Sequence, residues 1–304
     1  MQKITNWLFL LVFLPFAGLS QERKADHKLE KALAELTKGF NGTAGVYVLN
    51  LKTGKYASLN GDTIFPTASI VKVPLLVGLF SKIEKGELGW HQALIYRDSA
   101  KYGGSGLMQF FKDSSATEVS VLAALMMAYS DNTTSLWNQQ LAGGGEEVNK
   151  LMEQYGLKDT RVNSRTKGRE EIRKIYGWGQ TTPREMSALV AKIHRGEVIS
   201  KAASERMYRL MTKGYYDDQA ISEVPPYIQV AAKSGSVNES RSEVVLVNAP
   251  HGDYVFYVGT KNIKDQRWEA DNEAVVMIRK ISAYLWNYFE PKSGWKPAWD
   301  VLRK

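Results

Sequence analysis

The sequence predicts a mixed α/β fold of the α+β kind: one antiparallel sheet built from both ends of the chain, flanked by helices, with a helical block packed beside it. Three observations lead there. Strand-like segments come before residue 60 and again after residue 226, and the hairpin linking the first pair makes it antiparallel. From Ser69 to about residue 213 the apolar residues instead recur at helical spacing. No internal repeat or low-complexity linker interrupts the 304 residues, so the two strand groups are expected to share one sheet.

Taken in order, residues 1–20 read as a targeting segment: Lys3 is its charged start, Trp7 to Phe16 its apolar centre, and Gly18-Leu19-Ser20 its small-residue exit. That apolar run is short for a bilayer, and no other stretch is long and apolar enough to cross one, so an exported, soluble protein is expected, periplasmic or extracellular. Residues 26–39 form an amphipathic helix on Leu29, Leu33 and Leu36. Residues 44–49 and 56–59 are strands joined by the turn Lys52-Thr53-Gly54-Lys55. Thr67 to Pro74 opens an apolar run, Val73 to Phe80, in which Pro74 suits a first helical turn because its missing N–H costs little there; that helix ends at Lys85-Gly86. A helix over 117–129 follows the capping-box spacing of Ser115 and Glu118, and Gly143-Gly144-Gly145 breaks the next. Thr182-Pro183-Arg184-Glu185 caps a helix running to about His194. Strands return at 228–232, 244–248 and 254–260, and residues 272–289 close as a helix on Val275, Ile278, Ile281, Leu285 and Phe289. The tail, 291–304, carries Trp295 and Trp299, which should pack on the body. The expected division is 1–20 as signal peptide and 21–304 as one domain, its α/β part about 21–66 and 214–304 and its helical part about 67–213.

Composition narrows the chemistry. The absence of cysteine excludes disulfides, thiolate metal sites and a lipid-modified N-terminal cysteine. His27, His91, His194 and His251 are scattered without a ligand pair at helical spacing, so neither a metal nor another cofactor is expected. Losing the first 20 residues removes one lysine and no acid, so the net charge falls from +8 to +7. The cations are dispersed, and Glu170 and Glu171 interrupt the densest run, Arg165 to Lys174. Anionic cell-wall material or anionic small molecules therefore fit better than nucleic acid, and the chain is expected to be a monomer.

Ser69 and Lys72 lie three apart, so a helix sets the amine beside the hydroxyl. Serine is a weak nucleophile until a base takes its proton, and lysine can do so if its pKa is depressed, by the positive end of a helix dipole or by a second cation. The spacing alone proves little: Ser164-Arg165-Thr166-Lys167 repeats it, just as the turn Lys52-Thr53-Gly54 imitates Lys233-Ser234-Gly235. Order carries the information. Ser-x-x-Lys at Ser69 is followed 61 residues on by Ser130-Asp131-Asn132 and 103 further by Lys233-Ser234-Gly235-Ser236, a three-part signature of penicillin-recognising serine enzymes.

From about Asp26 to Phe289 the chain resembles the class A β-lactamase family, through Phe65 to Lys72, Ser130 to Thr134, Thr181-Thr182-Pro183 and Arg241-Ser242-Glu243. The resemblance implies a β-lactamase/DD-peptidase-like fold and a β-lactam or peptidoglycan-derived substrate. It implies Ser69 as nucleophile, Lys72 as its base, Ser130 as the proton donor to the leaving nitrogen, and Lys233 as the cation that holds Ser130 and depresses the Lys72 pKa. It implies the N–H groups of Ser69 and Ser236 as the oxyanion hole, Asn132 on the substrate's side-chain amide, and Ser234 with Arg241 on its carboxylate. Asp131 is expected to tie loops together. One departure stands out. The family's water-activating glutamate, 17 before the Thr-Thr-Pro proline, falls on Thr166, and its Glu-x-x-Leu-Asn pattern is missing. Thirteen before Pro183 is Glu170, a candidate substitute base, with Glu171 the lesser one. The expectation is a secreted serine β-lactamase-type hydrolase working through a Ser69 acyl-enzyme; the alternatives are a penicillin-binding peptidase or esterase on the same fold, or a receptor that acylates without efficient turnover.

Overall fold

The computed structural model describes residues 24–297; the segment 1–20 and Trp299 lie outside them. Helix α1 (His27–Leu36) starts where Asp26 accepts the Leu29 N–H, then the hairpin β1 (Thr43–Asn50) and β2 (Tyr56–Leu59) forms as expected. At the other end of the chain come β8 (Val230–Val237), β9 (Ser240–Val247), β10 (Tyr254–Lys261) and α9 (Glu273–Phe289). β1 pairs antiparallel with β10, so the ends meet in one five-stranded sheet, in the order β2-β1-β10-β9-β8. Both faces are covered, which is why β9 is buried at every position. Val46, Val48, Val245 and Phe256 pack on α1 and α9, whereas Tyr47, Leu49, Val244 and Tyr257 face the helical block. β8 is an edge strand, and its free edge faces the start of the chain's central helix.

The chain between the sheet's halves runs through β3 (Phe65–Pro66), α2 (Lys72–Glu84), β4 (Ala93–Ile95), β5 (Ala116–Glu118), α3 (Val119–Ala128), α4 (Asn132–Leu141) and α5 (Gly144–Gln154). It continues through β6 (Arg161–Val162), α6 (Glu170–Tyr176), β7 (Gly179–Thr181), α7 (Pro183–His194) and α8 (Lys201–Met211). Helix α2 is buried on nearly every side, from Lys72 to Phe80. Two small sheets, β4-β5 and β3-β7-β6, interrupt a stretch whose sequence reads as helical, because strands of two or three residues leave no periodicity. One of them displaces a helix start. Residues 116–118 pair with β4, so the helix begins at Val119 and the capping box from Ser115 is not made. Gly143, at φ +91°, separates α4 from α5 as its sequence suggests. Trp295 packs against the α9 side of the sheet.

Candidate active site

Residues 68–71 leave β3 in a tight 3₁₀ turn that runs straight into α2. Ala68 takes a left-handed φ of +43°, which typically costs about 1–3 kcal/mol and persists only where packing enforces it. Gly235 of β8 supplies that packing: a Cβ there would stand 2.3 Å from the Thr67 carbonyl oxygen and 3.1 Å from the Ser69 nitrogen. Only glycine lets the sheet edge press so closely on the nucleophile turn.

Lys72 is fully buried, and its Nζ lies 2.8 Å from Ser69 Oγ, 2.8 Å from the Ser130 carbonyl oxygen, 3.1 Å from Ser130 Oγ and 3.1 Å from Asn132 Oδ1. The carbonyl and the amide oxygen can only accept, so they take two N–H groups and leave the third position facing the hydroxyls. Burial pushes the Lys72 amine well below its ordinary pKa, the nearby Lys233 adds to that, and Asp131 opposes it. With its proton gone, the lone pair can accept from the Ser69 hydroxyl, which is the geometry of a general base. Ser130 reaches this cluster through a left-handed φ of +51° between α3 and α4. Asp131 accepts from Thr134 N at 2.8 Å, capping α4, and from Leu107 N and Met108 N at 2.6 and 2.7 Å, so it ties the 102–108 loop down.

Lys233 is buried, and its pKa is pushed down to about 8 by that burial. Its Nζ donates to the Ser234 carbonyl at 2.9 Å, and Ser130 is held by Lys72 rather than by Lys233. Lys233 and Ser234 border a small buried space with Glu243. Ser236 instead lines the main cleft, a cavity of about 750 Å³ that also holds Ser69 and Asn132 and is walled by Tyr102, Trp178 and Trp268. Asn132 donates its amide N–H to the Gly103 carbonyl at 3.2 Å. Arg241 sits opposite Ser236 in the β8-β9 register, but its guanidinium is buried, with Trp268 stacked 4.4 Å above it. It donates to the carbonyls of Val237, of Ser240 at 3.0 Å and of Arg267 at 2.8 Å, so a substrate carboxylate would meet it only past that indole.

The loop between β6 and β7 departs furthest from expectation. Thr166 is buried against Gly145 of α5 and donates to the Ser164 carbonyl, so it faces away from the nucleophile. Ser164 is buried while Lys167 is exposed, which disposes of the second Ser-x-x-Lys. Glu170 opens α6, is exposed, accepts from the Gly168 N–H at 3.2 Å, and lines a separate surface hollow with Arg165, Lys167 and Arg173. Glu171 pairs with Lys174 in solvent at 2.6 Å. The structure brings neither acid to Ser69, because both sit at the first turn of α6, where they favour the helix dipole and point outward. The other end of that helix reaches the cleft. Ile175, Tyr176, Gly177 and Trp178 line it, with the Trp178 ring 5.8 Å from Lys72 Nζ and edge-to-face with Tyr102 at 5.2 Å.

A family model described as the beta-lactamase enzyme family matches residues 28–289. This chain belongs to the beta-lactamase enzyme family. Beta-lactamase VEB-1 of Pseudomonas aeruginosa is 20% identical over 298 residues, covering 94% of this chain and 99% of that protein. A solved structure of PBP-A is 25% identical and superposes with a TM-score of 0.79 over 88% of this chain and 98% of that one. A point mutant of PBP-A, 26% identical with a TM-score of 0.78 over the same shares, was solved as its acyl-enzyme complex with penicillin G.

Within this beta-lactamase-family member, motif order located the Ser69, Lys72, Ser130 and Asn132 cluster but gave no role to Trp178, Trp268 or Glu243. Trp178 had a signal in its two flanking glycines, which let a large ring approach a wall closely. Glu243 had one too: an acid beside the apolar run Val244 to Val247 has to be buried with the strand.

Proposed function

We propose that this beta-lactamase-family protein is an exported serine hydrolase that opens β-lactam rings through an acyl-enzyme on Ser69. The observation that carries the reading is the buried Lys72 amine, within hydrogen-bond reach of both Ser69 Oγ and Ser130 Oγ. Lys72 takes the Ser69 proton as Oγ bonds to the lactam carbonyl carbon. The resulting oxyanion lies against the N–H groups of Ser69 and Ser236, one at the nucleophile turn and one on the free edge of β8. The C–N bond then breaks, the ring nitrogen takes the Ser130 hydroxyl proton, and Lys72 returns a proton to Ser130. Lys233 supplies positive charge beside this relay, and Asn132 faces the substrate's side-chain amide. The targeting segment at residues 1–20 supports export.

Release differs. Among the described residues Asp131 is the one carboxylate acting on Lys72, and its oxygens are taken by backbone N–H groups. Glu239, the acid that lines the cleft, is exposed between β8 and β9, and with an indole rather than a carboxylate over Lys72, water activation is weak and the acyl-enzyme is long-lived. That observation, with the likeness to PBP-A, favours a second reading: a penicillin-binding peptidase that β-lactams trap. Intact-mass spectrometry over time with benzylpenicillin tests both. The expected result is a single adduct that forms in seconds, decays over minutes or longer, and is absent in Ser69→Ala. No adduct and no hydrolysis in the wild type would overturn the function, and cleavage of D-Ala-D-Ala peptides would select the peptidase.

A further inference from the structure

Glu243 is a buried acid for which the proposed chemistry has no use. It lies on β9 directly opposite Ser234, one step from Lys233, and is 1% exposed. Its Oε2 accepts the Ala220 N–H at 2.7 Å, whereas its Oε1 is buried without a hydrogen-bond partner among the described residues. Glu243, Lys233 and Ser234 line one small hollow with Met127, Ala128 and Tyr216. A carboxyl oxygen left bare in such a place is costly unless the acid carries a proton or faces a cation. The surrounding groups decide between these. Asp217 and Asp218, on the segment before Ala220, disfavour ionisation, and the Lys233 ammonium on β8 favours it. From α9, Arg279 donates to the Asp218 carbonyl, and across β10 the residue opposite Glu243 is the apolar Val258.

The geometry points to Glu243 as a positioning residue that supplies Lys233 with a buried counter-charge, so that the Lys233 ammonium survives into alkaline solution and keeps Lys72 a free base. Burial sets both groups close together: the Glu243 carboxyl is pushed up to about 8 and the Lys233 amine down to about 8. As pH rises the pair loses one proton as a unit, and the charge left on Glu243 then holds the proton of Lys233. Without the acid, Lys233 would become neutral at lower pH, and the cation that depresses the Lys72 pKa would vanish with it.

This rests on the reading of Lys233 as the second cation of the Ser69 site, but it can be tested apart from activity. The titration of the Lys233 amine is followed by NMR in chain labelled at the lysine ε-carbon, its signal assigned by its loss in Lys233→Arg. In Glu243→Gln, which keeps an oxygen for the Ala220 N–H, the Lys233 midpoint should fall by about one to three pH units, the usual effect of an adjacent opposite charge. The alkaline limb of the acylation rate should fall with it, and Glu243→Asp should restore part of both. An unchanged or raised midpoint would overturn the inference. A lowered midpoint in a chain that no β-lactam acylates would uphold the pairing and sink only the functional reading. If Glu243→Gln does not fold, wild-type chain labelled also at the Glu243 carboxyl carries the test: shared two-step curves support coupling, and independent single-step curves overturn it.

Discussion

On one side of Ser69, residues 67–72 and 130–132 bring polar atoms together out of water and bond them to one another. On the other, residues 163–179 turn their acids to solvent and present an indole. Both walls are tightly built. The Asn163 and Ser164 N–H groups both donate to the Trp178 carbonyl, and Arg169 braces the loop across Asn163 and Gln180 at 2.7 and 2.8 Å. The difference lies in what rigidity is used for. The first wall fixes the Ser69 and Ser130 hydroxyls within 3.1 Å of the Lys72 nitrogen, which in the proposed mechanism serves ring opening. The second fixes a ring over that nitrogen, which in the proposed mechanism keeps water from the ester. On the proposed function, such a site makes acyl-enzymes faster than it clears them.

Removing the base of the first wall should produce the largest change. Lys72→Ala should slow acylation by about a hundred- to ten-thousandfold, the usual worth of a positioned general base. Stopped-flow quenching of a fluorescent penicillin checks it, and a loss below tenfold would mean that another group takes the Ser69 proton. The wild-type acylation rate should also fall as pH drops through the lowered Lys72 pKa, because protonation removes the lone pair.

Opening the second wall should have the opposite sign and a smaller size. Trp178→Ala removes the ring over Lys72 and admits water to the ester. Deacylation, read by the decay of the intact-mass adduct, should speed up about tenfold, or ~1.4 kcal/mol off its barrier, with acylation little changed. Slower release would show that the indole positions water and does not exclude it.

The smallest effect tests the comparison most sharply. Glu170→Gln should leave deacylation within about twofold of wild type, because an exposed acid at a helix start adds only surface electrostatics. A drop of a hundredfold or more would make Glu170 the water's base after all and place it inside the cleft in the acylated protein.

The sequence by itself determined the sheet built from both ends, because the short apolar runs at β1, β9 and β10 and the stripe of α9 are local patterns that burial must obey. It also determined the Ser69, Lys72, Ser130 and Asn132 cluster, since motif order survives where spacing alone is ambiguous. Only the tertiary structure decided the rest. Ser164 and Lys167 keep the three-residue spacing, yet one is buried and the other exposed, because the loop leaves its regular course there. Glu170 and Trp178 lie eight residues apart on one loop, and the path of α6 sends the acid outward and the ring inward. Arg241 has the position in sequence to meet a carboxylate, but a tryptophan 27 residues further on covers it. The same holds for Lys233 and Glu243, ten apart in the chain and joined across one ladder. Their protonation depends on the water that long-range packing removes from both together, and although the run Val244 to Val247 marks Glu243 for burial, nothing local says that Lys233 is buried beside it.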